Sequence, residues 1–385
     1  MDADVIVIGA GPVGSFTAWK LAQAGLRAVV IEEHPAVGEP VHCTGIIGRQ
    51  VFDRFGLPRD SIMHELSGLT AYSPAGHAVT IDVDAPRAYV VERAAFDRHL
   101  AHLAAQAGAS YLLAARAQRV ERTRDHISVT VGTNGDRRRL EARMCIVAAG
   151  SRGRIGAEIG LRPVASYAHG VQVEAAVRNL RRVEVFCGRS LAPGSFGWVV
   201  PLGDGRARVG VRAFGAARQR LDHLLQHPAL RDRIGAPISS PYGGPIPAAP
   251  SPRTYAERAL SVGDAAGQVK TTTGGGVLFG LISADIAAQV TVAACRCHRF
   301  DEAFLRAYQR RWRRALAREL RLGLVARTLA GLLRDDDIDA LFRCAGCRAL
   351  AQRMAENADF DLHARQLLAV LRAPALLAVL KGAIA

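Results

Sequence analysis

Four residues near the N-terminus have the types and spacing to bind a dinucleotide. Gly9, Gly11 and Gly14 stand in the run Val5-Ile6-Val7-Ile8-Gly9-Ala10-Gly11-Pro12-Val13-Gly14, and Glu32 follows Gly14 by 18 residues. The first glycine permits a tight turn, the second lets backbone approach a pyrophosphate, and the third lets a helix pack on the preceding strand. The acid falls where ribose hydroxyls need an acceptor. Two more glycine-marked stretches follow: MCIVAAGSRGR, ending at Arg154, and Val262-Gly263-Asp264-Ala265-Ala266-Gly267 with Gly274-Gly275-Gly276 behind it. The ordered set of three predicts bound FAD and the redox chemistry of a flavin oxidoreductase.

These residues need particular elements to hold them. Asp4 to Ile8 reads as a buried parallel strand, Pro12 to Ala24 as a helix aiming its positive end at phosphate, and Arg27 to Ile31 as the next strand. The FAD-binding domain is expected to be discontinuous, over 1–65, 88–160 and 255–300. Between its pieces, 66–87 and 161–254 are expected to form a mostly antiparallel β substrate domain. Gly68 to Val83, Gly170 to Val177, Val183 to Cys187, Gly197 to Pro201 and Ala207 to Val211 supply the strand patterns. Residues 301–385 read as a helical C-terminal region. The expected class is therefore α/β, a Rossmann-like domain with a second β domain and a helical tail.

At 385 residues the chain can hold two or three domains with cores of their own. Its formal charge is +15, but only three of the fifty basic residues are lysine, a skew that reads as compositional bias as much as a binding device. No nucleic-acid motif is present, so nucleic acid is not an expected partner. The first strand begins almost at Met1, so no signal peptide is expected, and the seven cysteines show no secreted disulfide framework. A cytoplasmic setting is expected. No run of about 18 uninterrupted apolar residues predicts a membrane span. Between Phe304 and Arg327, Phe304, Tyr308, Trp312, Leu316 and Leu320 recur every fourth residue, with Arg306, Arg310, Arg314 and Arg321 opposite. This fits either a core-facing helix with a solvated basic face or a helix resting on an anionic membrane. Leu367 to Ala385 is apolar but broken by Arg372 and Lys381, which suits a packed or interfacial helix.

Several stretches resemble the geranylgeranyl reductase family: GAGPVG at 9–14, GEPVHCTGI at 38–46, SFGWVVPLGDGRARVGV at 195–211, GDAAGQVKTTTGGGVLFG at 263–280, and the tail segment AYQRRWRRALARELRLG. The most specific piece, SFGWVVP, is similar to that family's aromatic-x-Trp-x-x-Pro signature. The resemblance implies the p-hydroxybenzoate hydroxylase fold and reduced FAD hydrogenating isolated double bonds of an isoprenoid chain. It also implies a prenyl-lipid substrate and peripheral contact with the inner face of a membrane. By the same resemblance Cys43 is catalytic and, with Thr44 and Ile46, touches FAD. Val13 belongs to the phosphate loop, Glu32 to the ribose, Arg93 to the FAD-contacting helix and Val120 to the adenine side. Asp264 belongs to the ribityl chain, and Gly276 and Val277 to the flavin ring. Phe196, Trp198 and Pro201, with Val199 and Val200, would line a substrate tunnel. Cys43 also reads as a small packed side chain with no chemical role.

The second motif reads Ala148-Ala149-Gly150-Ser151 where many hydroxylases of this fold carry Asp-Gly. The electron donor therefore stays open between NAD(P)H, ferredoxin and a reduced quinone-like carrier. An aromatic monooxygenase shares the fold and FAD motifs, a halogenase would need a WxWxIP motif that is absent, and a non-catalytic prenyl carrier would not need intact flavin motifs. Cys295-Arg-Cys297-His298 and Cys344-Ala-Gly-Cys347 lack the glycine-rich knuckles of structural zinc sites, so no metal site is expected.

Overall fold

The protein was analysed as a computed structural model that describes residues 1–133, 136–151, 154–344, 349, 351–352, 355 and 359–371. Arg152 and Gly153 of the second glycine motif, Cys347, and 372–385 of the terminal stretch lie outside the described residues.

The Ala3–Ile8 strand runs parallel between Ala28–Ile31 and Asp136–Val147, with Val5 opposite Ala28 and Met144. Ala259–Ser261 and Ser110–Leu112 extend this parallel centre on its two sides. These strands are apolar without alternation because both faces are covered. Val5, Val7, Val30, Met144 and Ile146 point into one core, under the helices Pro12–Gln23, Arg93–Gln106 and Val277–Cys297. Ile6, Ile8, Ile31, Cys145 and Val147 point into the other, with Val120, Val129 and Val131 of the antiparallel strands Arg116–Arg122 and Ile127–Thr133. The Val277–Cys297 helix is long and apolar enough to span a bilayer by composition. Here it is a core helix, packed beside Pro12–Gln23.

A second eight-stranded sheet has the order Ile234–Pro237, Tyr167–Val177, Arg206–Ala213, Phe196–Gly203, Val183–Phe186, Gly68–Tyr72, Ala78–Asp82, with Tyr242–Pro247 also on Tyr167–Val177. It is antiparallel except where Val183–Phe186 runs parallel to Gly68–Tyr72. The alternating stretch from Gly68 to Val83 is thus a hairpin rather than one strand. A small antiparallel sheet of Ile46–Gly48, Ala88–Val91 and Ile62–Leu66, not anticipated from the sequence, bridges the two large ones.

The Glu302–Leu332 helix starts at Asp301, whose carboxylate accepts from Phe304 N at 2.9 Å. Its buried stripe is Leu305, Tyr308, Trp312, Leu316 and Leu320. Leu305 replaces the expected Phe304, which is only part-buried: a strict four-residue repeat drifts off a helix of 3.6 residues per turn. Tyr308 Oη donates to Ser261 O at 2.8 Å, and Trp312 Nε1 donates to Thr254 Oγ1 at 2.9 Å. Arg306, Arg310, Arg314 and Arg321 are exposed.

Candidate active site

Between the two large sheets lies a cavity of about 2220 Å³. It exceeds the roughly 300–1,000 Å³ of an ordinary ligand pocket and has room for two ligands side by side.

Its first wall is the Gly9–Gly14 turn. An ideal Cβ on Gly14 would come within 2.0 Å of Gly9 O, so only glycine lets the helix sit this close; Gly14 is therefore beneath the loop and off the cavity wall. Gly9, at φ +103°, is pressed against Ala148 of the second motif. A Cβ on Gly11 would meet nothing within 4 Å, which leaves the loop open to the cavity. Glu32 accepts from Ala10 N at 2.8 Å with one carboxylate oxygen and from His34 N at 3.0 Å with the other. The acid thus braces the loop from its place on the cavity wall. Val13 and Val120 line the same end.

Further along, Asp264, Gly276 and Val277 line the wall. Burial pushes the Asp264 carboxyl up to about 6, against the pull of the Arg93 guanidinium. Arg93 is held charged by Asp97, whose two oxygens it meets at 3.1 Å each. The helices starting at Pro12 and Val277 present their first turns to the cavity with no side-chain cap. The Arg93–Gln106 helix is capped by Glu92 instead, which accepts from Ala94 N at 3.1 Å. Two uncapped helix N-termini, an open glycine turn and a carboxylate at each end of the line fit an anionic dinucleotide.

Cys43, Thr44 and Ile46 also line the cavity, and Cys43 Sγ accepts from Gly45 N at 3.4 Å. This loop is fastened to the second sheet twice. Thr44 Oγ1 donates to Gln172 Oε1 at 3.0 Å, and Arg208 Nη1 donates to Thr44 O at 2.8 Å. Trp198 Nε1 reaches the same Gln172 oxygen at 3.3 Å. Gln172 and Arg208 escaped the sequence reading. The signal for Gln172 was a polar residue placed among apolar ones in the GVQVEAAV strand.

Phe196 and Trp198 line the cavity, and Pro201 does not. Side chains alternate along a strand: Phe196, Trp198 and Val200 share one face, while Val199 and Pro201 take the other, so Pro201 is corrected from tunnel wall to the far side of the strand. Leu69, Ala71, Val79, Ile81, Val183 and Val185 extend the Trp198 side into an aliphatic arm. At another side the C-terminal segment closes in. Lys270 Nζ meets Asp361 Oδ1 at 2.9 Å and donates to Phe360 O at 3.1 Å. Burial and Lys270 push the adjacent His363 down to about 4. Among the described residues no group of three or more His, Cys, Asp or Glu could hold a metal; Cys295 is buried and Cys297 exposed.

Residues 4–344 match the family model described as lycopene cyclase protein. A digeranylgeranylglycerophospholipid reductase of Methanocaldococcus jannaschii is 31% identical over 356 residues, covering 89% of this chain and 90% of that protein. The solved structure of a geranylgeranyl bacteriochlorophyll reductase-like protein of Thermoplasma acidophilum aligns with a TM-score of 0.86 and 25% identity over 99% of both chains. A p-nitrophenol 4-monooxygenase of Pseudomonas putida shares the fold, with a TM-score of 0.70 and 19% identity over 97% of this chain and 98% of that one.

Proposed function

The chain belongs to the geranylgeranyl reductase family, and on that footing we propose that it is an FAD-dependent reductase of carbon–carbon double bonds in the isoprenoid chains of a prenyl lipid. The observation that carries the reading is the aliphatic arm: Leu69, Ala71, Val79, Ile81, Val183 and Val185 continue the Trp198 wall away from the dinucleotide end. A hydrocarbon chain fills such an arm and a small polar aromatic does not.

FAD, when bound, supplies the reducing equivalents, and NAD(P)H or a ferredoxin-type carrier replenishes them. The protein does the rest. The Gly9–Gly14 turn and Glu32 would hold the adenosine and pyrophosphate of FAD, and Asp264 would accept from its ribityl hydroxyls. Phe196 and Trp198 press the alkene into place and exclude water. Cys43 holds a proton at Sγ, beside the loop fastened by Thr44, and delivers it to one alkene carbon. The basic face of the Glu302–Leu332 helix brings the enzyme to a cytoplasmic membrane surface, where its substrate resides.

The test is anaerobic: the flavin released on denaturation is identified, the holoenzyme is reduced with dithionite, and a geranylgeranyl phospholipid is followed by mass spectrometry. The expected product gains hydrogens in pairs, and Cys43→Ala slows the gain without loss of FAD, while Cys43→Ser tells thiol chemistry from packing. A reducible flavin with no mass gain on any prenyl lipid overturns the assignment. Coupled hydroxylation of an aromatic with NADPH and oxygen would move it to the monooxygenases.

A further inference from the structure

Gln172 is almost wholly buried on the cavity wall, and its amide orientation is fixed by chemistry rather than by choice. Trp198 Nε1 is a donor only, so the group it meets at 3.3 Å must be the carbonyl oxygen of Gln172. Thr44 Oγ1 donates to the same oxygen at 3.0 Å. Both acceptor sites of the amide oxygen are thereby used, and Nε2 is left buried with no hydrogen-bond partner among the described residues. An unpaired buried N–H₂ is costly, so a ligand that completes it is strongly favoured.

Glycines keep the backbone around this amide free of side chains. In register on the same face, Gly210 stands opposite Gln172 on one neighbouring strand, Gly170 lies two residues along its own strand, and Gly244 faces Gly170 on the other neighbour. A Cβ on Gly210 would strike the Trp198 ring at 2.5 Å and Gln172 Cβ at 2.6 Å, so the missing side chain is what lets Trp198 reach the amide. Gly170, Gly243 and Gly244 line the cavity floor.

Of the two ligands the cavity must hold, the isoprenoid chain has no lone pairs to offer. FAD is linear, and its adenosine and pyrophosphate are accounted for at Glu32 and Gly11. The other end of an FAD laid along that wall would run toward the part of the cavity lined by Gly276, Thr44 and Gln172. We propose that Gln172 Nε2 donates a hydrogen bond to a carbonyl oxygen of the flavin ring, making Gln172 a flavin-binding residue that favours the reduced, more electron-rich ring. The same carboxamide then ties three parts together: the ring, the Cys43–Thr44 loop and the Trp198 substrate wall.

The test reads the flavin, not turnover. Gln172→Leu removes the donor without adding charge, and Gln172→Glu, read at a pH where its carboxyl is ionised, keeps the acceptors that Trp198 and Thr44 use while removing the donor. With FAD bound, Gln172→Leu is expected to weaken the preference for reduced over oxidised flavin about tenfold, which is about 30 mV in a two-electron midpoint potential. The carbonyl stretching bands of the oxidised flavin should move upward as the hydrogen bond is lost, and Gln172→Glu should lower the potential further. If Gln172→Leu does not fold, Gln172→Glu carries the test through the same bands. An unchanged potential and unchanged bands in a variant that still binds FAD overturn the proposal and leave Nε2 to an internal water. The inference rests on FAD in the cavity and not on the alkene. Absent prenyl reduction with a shifted potential would sink the functional reading alone, and intact prenyl reduction with an unshifted potential would sink this one alone.

Discussion

Asp264 is placed against its own titration chemistry. Burial raises its carboxyl from 3.8 to about 6 even with Arg93 nearby. A carboxyl whose folded value lies above its unfolded one binds a proton in the folded state first. The empty protein therefore loses stability as pH climbs from about 4 to about 6 and keeps that loss above it. The rise corresponds to at most about 3 kcal/mol. Asp264→Asn is expected to melt at higher temperature than the parent at pH 7 when both are stripped of flavin, with the gap closing below pH 4. The same change should weaken FAD binding by about tenfold or more, since a hydrogen bond to a charged group is worth roughly 1.5–3 kcal/mol. Melting curves across pH and a flavin titration check both halves; a variant less stable than the parent at pH 7 would contradict the first.

The Phe196–Gly203 strand divides its residues between two jobs by parity alone. Trp198→Ala removes a wall worth roughly 1.5–3 kcal/mol of apolar contact, so kcat/KM for a prenyl lipid should fall about 10- to 100-fold with the flavin absorption unaltered. Pro201→Ala, on the other face, should leave kcat/KM within about twofold; equal losses in both variants would refute the division. Much of this element-level picture was readable beforehand. Strand, glycine turn, helix, strand and acid in register mark the dinucleotide half, because each glycine there answers a local backbone demand. What stayed hidden depends on partners distant in sequence. Nothing local marks Gln172 as fixed by Thr44, 128 residues earlier, or Gly210 as the gap that admits Trp198. The signature's spacing puts Trp198 and Pro201 on opposite faces of a strand, but nothing in it says which face meets the cavity. The small bridging sheet was missed because its three short strands are of ordinary composition and pair across long intervening stretches of chain.

At the scale of the molecule, charge is organised. The Glu302–Leu332 helix is about 46 Å long at 1.5 Å per residue, and it shows Arg306, Arg310, Arg314 and Arg321 on its outer side. Leu324, Val325 and Leu332 are exposed toward its end. Each arginine near an anionic surface contributes about 1 kcal/mol, and salt screens it. The protein is expected to float with anionic vesicles at low ionic strength, to detach at high ionic strength, and to ignore neutral vesicles. Failure to float with anionic vesicles at low ionic strength would remove the membrane from the account.

The chain crosses between the two large sheets four times, leaving the first after Ala28–Ile31, entering the second at Gly68–Tyr72, returning by Ser110–Leu112, leaving again for Tyr167–Val177 and coming back at Tyr255–Ala256. This interleaving bears on how the gene can evolve. A recombination event that imported 167–247 from a relative would bring Val183–Phe186 without Gly68–Tyr72, the parallel neighbour it must match at Val183 and Leu69. A single junction between Ile8 and Ala259 therefore separates strands of the first sheet, and one between Tyr72 and Tyr242 separates strands of the second as well. Substrate range in such a lineage is expected to shift by point changes along the aliphatic arm, whose two sides come from separate stretches of the gene, more readily than by the exchange of whole modules.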